Sequence, residues 1–574
     1  MGRFLSEKRP TSPIGFSNVS YLSTSLVLLV YSLQSPKVQG NPMAGSSRVA
    51  DAYVDQSVFI TGASGFLGKV LVEKLLYSVP EIKNIYLLIR PQHGQSPRQR
   101  LERMIEMPIF DRVKRKNPSA LSKLIPISGN LMEEHLGLNQ LDMQNICDEV
   151  GIVFHCAATV KFDEALRTSV EMNVLGTQRL VALCHKMKKL CAVVHASTAY
   201  ANCDKLKTSE TIYPPPVPPN KLFEAIDWMD DEMITAITPH LLGKRPNTYT
   251  FTKALAEVQL IEDARELPII IIRPSIIGAM WKEPLPGWID NMNGPSGIFA
   301  ACGKGVLTNM CGSNSSNADI IPVDVVSNMI IVAAARRATT KFDHIPVVHC
   351  CSGTLNPIKW HRIVNFIQCF FRQYPLNQCY RLPSTHFHSS RLLFELNFYL
   401  KHQYPAYLID FLCRITGRKQ QFVRIYSKVW RMVETLNYFT MHGWSFESKG
   451  LLALWDSLSE EDRQTFNFDV RQLNWDSYLF DYLMGVKRFL IKETLDDIPK
   501  AQKHLYWLRL YGTAVNAGFW WILIRSLARR RGRVQKLVAW FSGFLFTFVW
   551  SNCNFREPVH LKSLEEYKKS MCQS

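Results

Sequence analysis

The sequence predicts an α/β protein built on a doubly wound parallel sheet, followed by a mostly helical C-terminal domain and a hydrophobic tail. Three observations carry this prediction. Apolar runs at 58–61, 85–89, 124–127, 152–156, 192–196 and 269–272 alternate with segments of helical length. Their successive residues are apolar, so both strand faces must be buried, as in a parallel sheet covered by helices on each side. Beyond residue 360 the alternation gives way to an aromatic-rich helical pattern.

Length and composition set the domain organisation. The chain has 574 residues, several times the roughly 150 of a common domain. With 47% hydrophobic and 20% charged residues, wholesale disorder is excluded. The predicted parts are a disordered N-terminal extension (1–50), a nucleotide-binding domain with a substrate lobe (51–357), a helical domain (358–500) and a membrane-associated tail (501–574). The extension has an apolar patch behind Arg3, Lys8 and Arg9, but Ser20, Ser23, Ser25 and Ser32 interrupt it, so it resembles a targeting segment only loosely. A Pro-rich insertion starting at Tyr213 and an acidic helix around 227–232 lengthen one crossover.

Net charge is +18, and residues 501–574 hold twelve Lys and Arg against three Glu, half of that excess. Basic charge within the most apolar stretch points to an anionic lipid surface, and no basic-aromatic nucleic-acid motif occurs elsewhere. The 14 cysteines form no Cys-x-x-Cys pair and many sit in apolar runs. They read as reduced, buried thiols of a cytosolic domain, with neither a zinc site nor a disulfide framework. In the tail, two apolar segments at 511–524 and 537–550 flank Arg529, Arg530, Arg531 and Arg533. Each is about 21 Å long as a helix, short of the roughly 30 Å of bilayer hydrocarbon. Keeping the arginines cytosolic favours a first segment lying in the interface, with Arg509 and Asn516 on its wet face, and insertion of 534–553. A hairpin packed on the protein is the alternative.

The first strand runs into Thr61-Gly62-Ala63-Ser64-Gly65-Phe66-Leu67-Gly68. Glycines at these places permit a sharp turn, close approach of a pyrophosphate and tight helix–strand packing, while the helix N-terminus offers N–H donors. The second strand ends at Arg90, where an acidic residue would accept the ribose hydroxyls of NAD; an arginine can instead pair with a 2′-phosphate, which favours NADPH. A solvated surface arginine is the bland reading. Asn130 follows the third strand at the adenine position, and Ala157 follows the fourth, small enough to let the dinucleotide pass.

Tyr249 and Lys253 form Tyr-x-x-x-Lys in a stretch of helical composition. The i, i+4 spacing puts both on one helix face, where an ammonium can lower the phenol's pKa and hold a ribose. Upstream, a strand runs into Ser197-Thr198, placing a hydroxyl at a strand's carboxyl end. Hydroxyl, phenol and lysine beside a nicotinamide make a carbonyl-reducing site.

These motifs resemble the extended short-chain dehydrogenase/reductases, with their Rossmann-like fold, and among them the alcohol-forming fatty acyl-CoA reductases. The closer likeness rests on 61–68, 155–162, 195–200, the Tyr213 insertion, 245–253, Arg273-Pro274-Ser275, Gly353-Thr-Leu-Asn-Pro357 and, further on, Phe468, Asp469, Trp475, Tyr478, Tyr482 and Gly485. It spans roughly 55–500. It implies Tyr249 as proton donor, Lys253 as its tuner and ribose ligand, and Thr198 as hydrogen-bond donor to the carbonyl, with Ser197 the alternative. Asn173 resembles a structural, cofactor-side position. The cofactor contacts implied are Thr61, Gly62, Ser64, Gly65, Phe66, Leu67, Gly68, Arg90, Asn130, Ala157, Lys253 and Pro274. Asn130 departs from the family's aspartate. The reaction implied reduces a long-chain acyl-CoA through an aldehyde to a primary alcohol with two NADPH, with the aromatic-rich second domain as the acyl channel. The resemblance implies an intracellular membrane, the endoplasmic reticulum ahead of the peroxisome, while the end Met571-Cys-Gln-Ser574 carries neither a Ser-Lys-Leu peroxisomal signal nor a retention signal. A homo-oligomer is compatible with this reading.

Overall fold

The computed structural model describes residues 48–92, 94–527, 532–552 and 559–573. The expectation of a disordered N-terminal extension falls almost wholly outside them. The central sheet has seven strands, all parallel: β1 (Ser57–Thr61), β2 (Ile85–Ile89), β3 (Leu124–Ser128), β4 (Val150–His155), β5 (Ala192–Ala196), β6 (Ile269–Pro274) and β7 (Val347–Cys350). Their order is β7-β6-β5-β4-β1-β2-β3. The order reverses between β1 and β4, opening a crevice at their carboxyl ends, where open α/β sheets bind ligands.

Side-chain alternation accounts for the doubly wound form. Val58 and Ile60 of β1, with Ile152 and Phe154 of β4, join one core, whereas Phe59 and Val153 join the other. The first core is closed by α1 (Phe66–Ser78) and α6 (Val323–Thr339), the second by α4 (Gly176–Cys184) and α5 (Thr248–Asp263). Between β2 and β3 lies α2 (Pro97–Ile105). A π turn, Glu171–Leu175, separates α4 from α3 (Leu166–Val170). Six of the strands coincide with the expected runs. The seventh, β7, escaped notice because His349 interrupts its apolar pattern. That imidazole is buried by contacts distant in sequence: Nδ1 lies 2.8 Å from the Glu447 carbonyl, and the backbone N–H donates to Glu210 at 2.9 Å.

After residue 360 come α7 (Trp360–Gln373), α8 (Arg391–Phe398), α9 (Tyr404–Ile415), α10 (Phe422–Met441), α11 (Lys449–Asp456) and α12 (Trp475–Gly485). This helical part is stitched to the sheet part. His386–His388 pairs with Asn309–Cys311, and Ser445–Phe446 with Lys207–Thr208, each as a short parallel ribbon. Trp455 and Phe468 join the first core of the sheet, and Tyr478 donates to the Ala279 carbonyl at 2.9 Å.

The tail forms α13 (Ile498–Leu527) and α14 (Arg533–Asn552), which fold back on each other. Asn516, expected on a wet face, is half-buried and instead donates to Thr547 on the facing helix at 2.8 Å. Trp540 Nε1 donates to the Ala517 carbonyl at 2.9 Å. No described helix is long and apolar enough to cross a membrane, so an inserted span over 534–553 is not seen. Nor is the hairpin buried on the protein: the base of α13 packs through Ile498, Ala501 and Leu505, but further out Tyr511, Phe519, Ile522, Leu537 and Phe546 are exposed.

The buried ion pair Arg273–Glu257 ties β6 to α5 at 2.7 Å. Glu257→Leu, which strands the guanidinium, is expected to destabilise by about 3 kcal/mol or more. Loss of the exposed Arg391–Glu395 pair through Arg391→Ala should cost under about 1 kcal/mol. Urea unfolding midpoints check the contrast.

Candidate active site

The phosphate-binding turn is shaped by what glycine lacks. Gly62 has φ +77°, and a Cβ there would lie 2.6 Å from the Ala157 backbone nitrogen. A Cβ on Gly68 would lie 2.2 Å from the Gly62 carbonyl oxygen. Gly65 caps α1, leaving the first amides of the helix facing the crevice. Thr61 and His155, at the ends of β1 and β4, are joined at 2.7 Å, and Ala157 N–H donates to Thr61 Oγ1 at 3.4 Å. Because Thr177 gives its own proton to the Asn173 carbonyl, His155 Nε2 must carry the hydrogen directed at Thr177. Burial, helped by the Lys253 ammonium, pushes the His155 pKa down to about 3 and keeps it neutral.

At the end of β2, Arg90 is exposed and its carbonyl accepts from the Arg100 guanidinium, which also donates to Ser64 at 3.2 Å. Two cations thus flank the turn. Burial and then the Arg90 charge lower the Arg100 pKa. No sequence motif marks Arg100; only the fold of α2 brings it here. Asn130 closes a local turn, accepting from Met132 N–H at 3.3 Å and donating to Glu133 at 3.0 Å.

On α5, capped by Asn247, the positions i, i+4 and i+8 are Tyr249, Lys253 and Glu257. Each successive turn of this face meets the sheet's carboxyl edge. Lys253 Nζ donates to the Ala196 carbonyl at 2.8 Å. Glu257 accepts from Ser197 at 2.5 Å and from Arg273 Nε at 2.8 Å. Ser197 is therefore committed to the ion pair, and Thr198 is the hydroxyl that acts on Tyr249, favouring the ionised form of its phenol. Thr198 also lies 3.4 Å from the Pro274 carbonyl and accepts from Tyr200 N–H at 3.2 Å. Asn173 is structural, holding Thr159 N–H at 2.9 Å and Thr252 at 2.9 Å.

The electrostatics depart from expectation. Burial pushes the Tyr249 phenol up to about 12, partly offset by Thr198, with no lowering by Lys253, whose ammonium is directed at Ala196. Lys253 is itself pushed down to about 8 by burial, against the attraction of Cys156 and Glu257.

The wall above Tyr249 is aromatic. Phe162 lies 5.7 Å from the Tyr249 ring and stacks at 5.5 Å on Phe439 of α10. Phe439, Trp444 and Phe446 surround Tyr200 edge-on at 5.2 to 5.4 Å. The sequence motifs contained Phe162 and Tyr200, but their partners Phe439, Trp444 and Phe446 come from 239 to 277 positions further on and carry no local signal.

Two family models described as male sterility protein match the chain, an NAD-binding one over residues 60–330 and one named Sterile over 401–493. Fatty acyl-CoA reductase 1 of Xenopus laevis is 44% identical over 461 residues, 80% of this chain and 90% of that protein. The chain belongs to the fatty acyl-CoA reductase family. Fatty acyl-CoA reductase 1 of Homo sapiens is 42% identical over the same shares of both chains, and fatty acyl-CoA reductase 2 of Mus musculus 39% over 88% of this chain and 98% of that one. Among solved structures, the reductase domain of a nonribosomal peptide synthetase from Mycobacterium tuberculosis shares the fold, with a TM-score of 0.53 at 17% identity over 76% of this chain and 95% of that one. Family membership and the glycine cradle agree on a nicotinamide dinucleotide. Gly68→Ala should weaken dinucleotide binding at least tenfold, whereas Gly65→Ala, whose Cβ would find its nearest atom at 3.2 Å, should do less. Titration of cofactor fluorescence on both variants checks this.

Proposed function

We propose that this chain reduces long-chain fatty acyl-CoA to a primary alcohol, consuming two NADPH and two protons and releasing CoA and two NADP⁺. The observation that carries the reading is the convergence of Tyr249, Thr198 and Lys253 on the sheet's carboxyl edge, beside the glycine turn and under an apolar wall. The names of the curated relatives supply the substrate class.

A bound reduced nicotinamide supplies hydride to the carbonyl carbon, once to the thioester and once to the aldehyde. The chain's residues do the rest. Thr198 and Tyr249 face the oxygen on which negative charge develops, and a phenol held at about 12 stays protonated and able to give up its hydrogen to that oxygen. Lys253 is held where an ammonium can grip ribose hydroxyls. Phe162 and Phe439 exclude water, which would favour retention of the aldehyde between the two steps. Arg90 and Arg100, neither with a carboxylate partner among the described residues, support NADPH through its 2′-phosphate.

The exposed hairpin α13–α14 supports attachment to an intracellular membrane with the catalytic part cytosolic, where acyl-CoA is found. The endoplasmic reticulum is proposed ahead of the peroxisome.

The direct test follows NADPH absorbance with palmitoyl-CoA and extracts the product. Two NADPH lost per alcohol supports the reading; aldehyde alone, or no turnover, refutes it. Tyr249→Phe should lower kcat at least about a hundredfold with NADPH affinity nearly unchanged. Because the charged form of Lys253 is lost as pH rises through about 8, kcat/KM should fall above that pH, and Lys253→Arg should remove the limb. Arg100→Ala should weaken NADPH by roughly tenfold or more and NADH little, since a hydrogen bond to a charged group is worth about 1.5–3 kcal/mol.

A further inference from the structure

The helical part has a second apolar surface, separate from the tail. Along α8, α9 and the π turn Tyr399–Gln403 that joins them, Leu392, Leu396, Leu400, Leu408, Phe411 and Ile415 recur at helical spacing, and each is 55% to 73% exposed. The opposite side of the same helices is packed inward through Phe394, Phe398 and Ala406. Both faces are therefore apolar, yet the protein covers only one. A patch of this extent marks an interaction surface.

Charge identifies what covers it. Between Asp410 and Glu434 there is no acidic residue, while Arg414, Arg418, Lys419, Arg424, Lys428 and Arg431 are all present and exposed. The flanking acids are engaged. Asp410 accepts from the amides of Gln421, Phe422 and Val423 at 3.1, 3.0 and 2.9 Å, which fixes the corner where α9 meets α10. Glu434 is held by Arg391 at 2.8 Å. An apolar face bordered by six cations fits the boundary between headgroups and acyl chains of an anionic bilayer. A symmetric contact with a second copy would bring the same cations together.

A short chain of contacts links the start of α10 to the base of the tail. His504 near the base of α13 lies 3.0 Å from the Cys379 carbonyl, and the next residue, Tyr380, meets Phe422 at the start of α10 edge-on, with centroids 6.2 Å apart. From this corner α10 runs about 30 Å and ends with Phe439 at the aromatic wall above Tyr249.

We propose that the outer face of α8–α9, with its basic corner, is a membrane-contact surface lying in the plane of an anionic bilayer, distinct from the α13–α14 hairpin. It places lipid at one end of the helix whose other end lines the catalytic wall. The surface does not depend on the acyl-CoA reading, because its test needs no turnover.

The test uses the full chain with benzoylphenylalanine in place of Leu400, irradiated with vesicles of phosphatidylcholine alone or with 30 mol% phosphatidylglycerol. A lipid adduct at position 400 is expected, at least threefold more abundant with phosphatidylglycerol. Arg418→Gln, Lys419→Gln and Arg424→Gln together should abolish that excess while thermal unfolding stays unchanged. A crosslinked dimer in place of a lipid adduct, or no adduct at 400 when the same probe in place of Phe519 on the hairpin gives one, overturns the proposal.

Discussion

An ammonium cannot be buried without a partner, and the site depends on how Lys253 meets that demand. Its side chain is nearly inaccessible, and the Ala196 carbonyl at the end of β5 is the partner. One turn further along the same helix face, Glu257 meets Ser197 and Arg273. These two anchors fix the rotation and height of α5 against the sheet. Tyr249, one turn before Lys253, is then carried to the crevice mouth beside Thr198. The position of the phenol thus follows from satisfying two buried charges in neighbouring turns.

The second constraint is the absence of side chains in the turn after β1. Backbone from the β4 end passes so close to Gly62 that a Cβ would collide with it. This brings the cofactor's expected phosphate path against the helix amides and alongside the residues that follow β4. The helical part completes the site from the opposite side, contributing Phe439, Trp444 and Phe446 to a wall that also contains Phe162 and Tyr200. Tyr249 therefore sits between a polar strand edge and an apolar roof, an arrangement suited to a substrate with a carbonyl head and a hydrocarbon tail.

Much of this was legible in the sequence because it is local. Strand runs buried on both faces, the glycine spacing and the Tyr249–Lys253 interval each depend on residues within one or two turns of each other. What was not legible depends on distant partners. β7 contains a histidine made tolerable inside a sheet by partners distant in sequence, the Glu447 carbonyl and the Arg273 guanidinium on its ring and Glu210 on its backbone N–H. Arg100 reaches Ser64 because of where α2 packs, and Asn516 turned inward because Thr547 offered a partner. The expected acidic phenol failed for a related reason: helix spacing places two side chains on one face, but the ammonium's hydrogen bond went to a carbonyl on the sheet.

The central claim is that both reductions occur at the single centre around Tyr249. Isotopic transfer addresses it most directly, with palmitoyl-CoA, NADPH deuterated at the transferable position of nicotinamide C4, and mass spectrometry of the extracted alcohol in the presence of an excess of unlabelled free aldehyde as competitor. Two deuterons on carbon 1 of the alcohol derived from the thioester, with little dilution by the competitor, is the predicted result. Release of singly deuterated aldehyde, or an alcohol arising chiefly from the added aldehyde, would contradict it.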